Sequence, residues 1–255
     1  NITNDPVLVS STHIYLSSPC RGAGDDLYAS GADIDGDAWH SPPAIGADEP
    51  QDSLAGELTL SIAADSTNVA LGTVVGFDAL IEGAALRSVW NFSDGVFNTN
   101  CPYARHAWSE TGDYPVILTA WNAEHPAGVA CTTWVSVVTQ PVAFVNISNA
   151  TPAFPYASWE TAATNIQKAI SVQDGVAGRL VRVADGEYTS DAIGHDGTTR
   201  RIVLTNSVIV SSVNGPGQTI IDGGHDGAER FHTYERKDCY RKRRRRLLRA
   251  GRCCQ

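Results

Sequence analysis

The chain has 255 residues, 42% of them hydrophobic and 18% charged, and a formal net charge of −9. That balance hides a division. Eleven of the nineteen Lys and Arg, but only three of the twenty-eight Asp and Glu, lie from Glu229 onward, which leaves residues 1–228 at −17. A body this acidic repels polyphosphate and excludes nucleic acid as its partner. No apolar run approaches the roughly 18 residues that a bilayer-spanning helix needs.

The chain opens "NITNDPVLVS", without the charged and apolar regions of a signal peptide, and contains no Met. These features lead us to expect a piece of a longer protein. Residues 1–50 hold short apolar runs ("PVLVS", "HIYLSSPC"), and then a stretch dominated by Gly, Asp and Pro that implies tight loops. Within "DIDGD", Asp33, Asp35 and Asp37 offer carboxylates at alternate positions and are the calcium candidates. The EF-hand pattern then requires Gly and Glu where Ala38 and Ala44 stand, so turn formation is the favoured role.

Residues 57–139 alternate apolar and polar positions in short runs, "ELTLSI", "TVVGFDA", "LRSVWNF", "YPVILTAW" and "CTTWVSVV", with turn signals between them. This spacing predicts an antiparallel β-sandwich. The residues "VWNFSDG" and "HAWSETGDYPVILTAWN" resemble the polycystic kidney disease (PKD) domain, an immunoglobulin-like sandwich. Trp90, Phe92, Asp94 and Gly95 match its first motif; His106, Gly112, Tyr114, Leu118, Thr119 and Asn122 match its second. Asn91, Ser93 and Trp108 depart from it, and Ser93 stands where a Gly often takes a positive φ. The resemblance implies structural roles for these residues, His106 included.

Three of the six cysteines, Cys20, Cys101 and Cys131, lie in the body, with no zinc-like spacing among them. Cys101 and Cys131 fall in the same predicted sandwich, and either form a disulfide in an oxidising compartment or remain buried thiols. Alternation favours the core for Trp121 and Trp134; the other reading is a platform on which sugars stack.

Residues 142–228 begin with one predicted amphipathic helix at about 158–171, on which Trp159, Ala163, Ile166 and Ile170 recur at helical spacing, with Ser158 as N-cap. Short β-branched runs follow, each ended by Asn, Asp or Gly, as stacked coils require. The segment resembles the N-terminal cap and first coils of a right-handed parallel β-helix of the pectin lyase-like kind. Trp159, Ile166, Ile170, Val183, Asp185, Gly186, Tyr188, Val208, Val210, Asn214, Gly215, Ile220, Ile221 and Asp222 carry that likeness. Residues 1–50 resemble the opposite, C-terminal coils of such a helix in repeat-bearing bacterial surface proteins of the choice-of-anchor Q type. The carriers are "SSPCRGAGDD" and "ADIDGDAWHSPPAIGADEP", with Arg21 and Trp39 as departures. The expected fold is therefore mainly β: an immunoglobulin-like sandwich between partial parallel β-helix segments, with one short capping helix.

No catalytic residues are expected. Asp185, Asp222 and Asp226 stand near loop ends, but Lys168, Arg179 and Arg182 are the only basic residues between Arg105 and Arg200, and all belong to the cap helix or first strand. No nucleophile elbow, phosphate loop or zinc-protease motif is present. The reading is a non-enzymatic extracellular or cell-surface module, without a cofactor unless calcium binds, that serves spacing, adhesion, or binding of polysaccharide or protein. The alternative is the non-catalytic part of a β-helix polysaccharide lyase or glycoside hydrolase.

The tail, 229–255, contains "RKRRRR" and would by itself suggest a nucleic-acid arm. Read one base over with permitted codons, residues 232–247 instead become Thr-Leu-Thr-Asn-Gly and, further on, four consecutive Gly, the continuation a β-helix coil requires. A frameshift near residues 229–232 and a tail without a packed core are the expectations.

Overall fold

A computed structural model describes residues 3–51, 54–172, 174–189, 193–195, 198–200, 202–204 and 207–222. The basic tail and Asp226 lie outside the described residues. The described residues divide into two compact units, one holding those within 3–67 and 74–137, the other those within 68–73 and 138–222.

In the first unit, alternation produces the strands the sequence predicts. β1 (Thr59–Ala64), β3 (Val75–Glu82) and β6 (Tyr103–His106) form one antiparallel sheet in the order β1-β3-β6. β4 (Arg87–Asn91), β5 (Phe97–Thr99), β7 (Gly112–Trp121) and β8 (Val129–Val138) run side by side in the order β8-β7-β4-β5, also antiparallel. β3 shows why the sheets face each other: Val75, Phe77, Ala79 and Ile81 are buried and the residues between them are not. With a side-chain period of two, one face of each strand must leave water.

Between the sheets Phe77, Trp90, Phe92, Trp108, Val116, Leu118 and Val135 are fully buried. Phe77 lies 5.9 Å from Trp90 and 5.8 Å from Phe92, ring centroid to ring centroid, both pairs tilted. Each buried indole also satisfies its polar atom. Trp90 Nε1 donates to the Cys101 carbonyl at 2.7 Å, and Trp108 Nε1 to the Phe92 carbonyl at 3.1 Å.

Residues 3–51 belong to the same unit and are held by turns rather than ladders. They contain a short 3₁₀ helix, Asp26–Tyr28, and the isolated bridges Leu8↔Ile14 and Ala32↔Ala38. Carboxylates take the place of sheet partners. Asp33 Oδ1 accepts from the Asp35 and Asp37 N–H groups at 2.9 and 2.8 Å, and its Oδ2 from the Glu49 N–H at 2.9 Å. The buried Glu49 accepts from the Ala44 N–H at 2.7 Å. Ser88 Oγ on β4 donates to the Val9 carbonyl at 2.8 Å, which fastens this segment to the sandwich.

The second unit is built mainly from parallel pairs. β9 (Val142–Val145), β10 (Arg179–Val183) and β14 (Val208–Ser212) stack in parallel, with Ala143, Val181 and Val210 in register and likewise Val145, Val183 and Ser212. β11 (Gly186–Tyr188) pairs in parallel with β15 (Thr219–Ile221). β12 (Ile193–His195) and β13 (Thr198–Arg200) pair antiparallel. β2 (Asn68–Ala70) meets this unit through a parallel bridge between Val69 and Ala177.

The predicted helix is much shorter than its periodicity suggests: α1 spans Ile166–Ile170. Asn165, not Ser158, caps it, accepting from the Gln167 and Lys168 N–H groups. Ser158 closes a turn with Thr161 instead. The cause is competition for the backbone. Ala163 bridges in parallel to Val145, its N–H donating to the Phe144 carbonyl at 2.9 Å, which removes the preceding residues from the helix. Ile166, Ala169 and Ile170 then pack on Ala143, Val145, Val181, Val183 and Tyr188.

Candidate functional site

The signature residues of the sandwich build a corner rather than a cavity. His106 Nε2 meets Asp94 Oδ2 at 2.6 Å, and the imidazole stacks on Phe92 with centroids 4.3 Å apart. Asp94 Oδ1 accepts from the Val96 N–H at 3.1 Å, closing the turn in which Gly95 has φ +89°. Ser93 adopts φ +62°, the conformation expected where a Gly is usual, and its Oγ donates to the Pro115 carbonyl at 2.6 Å. Trp108 stacks on Tyr114, whose hydroxyl donates to the Glu110 carbonyl at 3.2 Å, just beyond which the chain enters β7 at Gly112. Asn122, buried, donates to the carbonyls of Gly56 and Ala84 and accepts from the His125 N–H. None of these groups faces an open site with a second reactive residue.

The outer face of the larger sheet is different. Thr132, Ile117, Asn91 and Phe97 form one row across β8, β7, β4 and β5. Trp134 stands opposite Pro115 beside that row and is 61% exposed; Phe97, at the row's other end, is 58% exposed. The core position expected for Trp134 is thus overturned. Val135 and Val137 take the inward places of β8, so Trp134 must point out. Trp121 is half-buried beneath Arg87, whose guanidinium carbon lies 4.0 Å from the ring centroid.

Of the two readings the sequence leaves open for Cys101 and Cys131, the structure contains free thiols. Cys101 Sγ is committed to the Tyr103 carbonyl at 3.1 Å, and Cys131 sits on β8 opposite the inward-facing Leu118. Burial raises the Cys131 thiol above its ordinary value of 9.0. Less thiolate is then present at pH 8 than in a free cysteine. Iodoacetamide at that pH should label the Cys131 peptide several-fold more slowly than a reference peptide thiol, measured by mass spectrometry.

The calcium candidates do not converge on one point. Asp33 spends both oxygens on backbone N–H groups, whereas Asp35 Oδ2 reaches His13 Nε2 at 3.0 Å. Asp48 completes that group: donor atoms of His13, Asp35 and Asp48 all lie within 4.8 Å of one another. Burial pushes the Asp48 carboxyl above its usual 3.8; the Ile14 N–H and His13 oppose this, while Asp35 and Asp33 add to it. His13 and Asp48 escaped the sequence reading because no local spacing joins residues 13, 35 and 48.

In the parallel unit Asp185 is held by Asn214 Nδ2 at 3.0 and 3.1 Å from its two oxygens, a contact between successive turns. Gly215 has φ +88°, and a Cβ on Gly186 would come within 2.9 Å of Ile147. Tyr188 OH donates to the Ala184 carbonyl at 3.0 Å, and the Asp222 N–H donates to the Tyr188 carbonyl at 3.3 Å. Trp159 is partly exposed and packs on Phe144, centroids 4.6 Å apart. Arg179 is buried in an ion pair with Asp174. These are structural uses, and the acid–base contact among them, Arg179 with Asp174, is an ion pair.

Two antiparallel sheets closed over an aromatic core define an immunoglobulin-like β-sandwich. Residues 59–135, which hold this sandwich, match the family model of the PKD domain. Among solved structures, one similar chain comes from work titled "Structural basis for the promiscuous specificity of the carbohydrate-binding modules from the beta-sandwich super family". It is 17% identical over 40% of this chain and 40% of that one, with TM-score 0.30. The PKD domain from human VPS10 domain-containing receptor SorCS2 is 22% identical over 48% of this chain and 94% of that one, with TM-score 0.28. The chain thus spans well under two thirds of the length of the first of these structures. No curated protein matches.

Proposed function

We propose that this is a non-enzymatic extracellular or cell-surface module that binds polysaccharide on the outer face of its PKD sandwich. The observation that carries the reading is Trp134, 61% exposed on a sheet face that also presents Ile117 and, at its edge, Phe97. An indole carried on a rigid sheet loses little entropy on stacking against the C–H face of a sugar ring. Exposed aromatic side chains on one sheet face are the kind of surface that marks an interaction site. The charge of −17 over residues 1–228 favours neutral glycans over polyanions. The PKD family match supports the extracellular setting. No helix among the described residues is long and apolar enough to cross a membrane.

The parallel ladders β9–β10–β14 and β11–β15 support the reading of residues 142–228 as the first coils of a parallel β-helix. Asp185 is occupied by Asn214, so this segment serves spacing rather than catalysis.

The test is depletion of the full chain from solution by a panel of insoluble plant and bacterial polysaccharides. Trp134→Ala should weaken the retained interaction at least about tenfold, one stacked ring being worth about 1.4 kcal/mol. Its unfolding midpoint should stay nearly unchanged, since the side chain is already in water. Equal retention of the variant and the wild type would remove this face from the function, and retention by no polysaccharide would turn the search to protein ligands.

A further inference from the structure

Buried polar groups in residues 3–51 mostly find partners in neighbouring turns, and Asp48 only half does. It is 2% exposed. Its Oδ2 accepts from the Ile14 N–H at 2.7 Å, whereas Oδ1 is buried without a hydrogen-bond partner. A bare carboxylate oxygen inside a protein is unfavourable enough that such atoms are normally paired or bound to metal. Among the described residues no Lys or Arg pairs with Asp48 or with Asp35; Asp35 bonds instead to the His13 imidazole.

We infer that His13, Asp35 and Asp48 form a binding site for a divalent transition-metal ion of the zinc class. The site is distinct from the sugar-facing sheet and does not rest on that reading. One imidazole nitrogen with two carboxylates is a borderline-soft donor set that suits zinc, whereas calcium and magnesium take larger sets of oxygens. Metal–ligand bonds of about 2.0–2.2 Å in a tetrahedron place neighbouring donors roughly 3.3 Å apart. His13 Nε2 and Asp35 Oδ2 already stand at 3.0 Å, and the whole set lies within 4.8 Å. The widest pair needs to draw in, and Asp35, the partly exposed member, is free to do so.

The supporting contacts fit the same chemistry. His13 Nδ1 lies 2.7 Å from Ser10 Oγ and 3.1 Å from Thr12 Oγ1. Ser10 Oγ already accepts from the Thr12 and His13 N–H groups, so Thr12 Oγ1 is the hydroxyl that can take an Nδ1–H, and that donation leaves the Nε2 lone pair for the ion. Asp48 is aimed by the Ile14 N–H, and Asp35 by the turn that Asp33 holds. Asp35 also lines a cleft of 450 Å³ with Asp37, Gln51 and Glu57, so one of the three ligands is open to solvent. Two opposed carboxylates and a neutral imidazole sum to −2, which one divalent ion cancels. Binding would tie together positions 13, 35 and 48 in a segment with almost no ladder hydrogen bonds, so metal affinity there is folding stability.

The experiment is a zinc titration of the full chain against a chromophoric chelator, beside thermal unfolding with Zn²⁺, Ca²⁺ or EDTA. Wild type, Asp48→Asn and Asp35→Asn are compared, so that the six cysteines count equally in all three. Wild type should take up one zinc more than either variant, or hold it at least about tenfold more tightly. Zinc should raise its midpoint and leave those of the variants unmoved, and calcium at the same concentration should do neither. Asn at position 48 keeps an acceptor for the Ile14 N–H; should that variant fail to fold, the surface change at Asp35 decides. Identical uptake in all three proteins overturns the site and leaves Asp48 Oδ1 to a buried water, and a variant-sensitive site that prefers calcium overturns the choice of metal.

Discussion

Replacing Trp90 by Ala should cost about 3–5 kcal/mol of unfolding free energy, the range for emptying a buried aromatic site. That is a large share of the 5–15 kcal/mol that typically holds a domain together, so urea denaturation followed by circular dichroism should show either a strongly lowered midpoint or no folded baseline. Two causes combine. Trp90 is fully buried, tilted against Phe77 at 5.9 Å and stacked parallel to Phe92 at 6.3 Å, so its removal opens a cavity between both sheets. Its Nε1–H also supplies the Cys101 carbonyl at 2.7 Å, and that carbonyl belongs to a residue only 5% exposed. Trp90→Phe separates the two. It keeps most of the apolar volume but strands the carbonyl, which should cost about 1–3 kcal/mol. A neutral Trp90→Phe would mean that the indole hydrogen bond contributes nothing and that packing alone holds this site.

The sandwich was legible because its information is local. Every core residue of β3 and β7 sits on an alternating position, and "WNFSDG" with "HAW" specifies a corner whose His106–Asp94 contact the structure contains. Even the departure at Ser93 could be read in advance, since its positive φ follows from the Gly it replaces. The failures came where backbone groups had a distant competitor. Helical spacing at 158–171 was outbid by the parallel bridge from Ala163 to Val145, and no periodicity within the segment reports that neighbour. Trp134 is a milder case. Thr132, Trp134 and Ser136 share one face of "CTTWVSVV" and Thr133, Val135 and Val137 the other, so the outward position was written in the alternation. The core reading had applied alternation to the aromatics in general and not to the register of this strand. The His13–Asp35–Asp48 group lay beyond reach for a different reason: its members are brought together by turns, and turns leave no period in a sequence.

Gly83→Ala should prove more damaging than the same change at Gly95, although Gly95 belongs to the family signature and Gly83 does not. Both have left-handed backbones, with φ of +91° and +89°. For either, an L side chain costs about 1–2 kcal/mol by itself. At Gly95 nothing lies within 4 Å of the added methyl, so the penalty should stop there. At Gly83 the methyl would stand 2.0 Å from the Glu57 carbonyl oxygen, a backbone atom that cannot rotate away. The chain at Glu57 must shift, and Asn122 registers the shift: its Nδ2 spans the carbonyls of Gly56 and Ala84, the residues adjoining Glu57 and Gly83, at 2.8 and 3.3 Å. Loosening these two bonds adds about 1 kcal/mol each, which brings the expected loss at Gly83 to roughly 3–4 kcal/mol. Chemical denaturation of the two variants side by side measures the difference. Equal losses would show that the Glu57 strand entry yields freely, and that Asn122 is held in place by the His125 N–H rather than by the two carbonyls it joins.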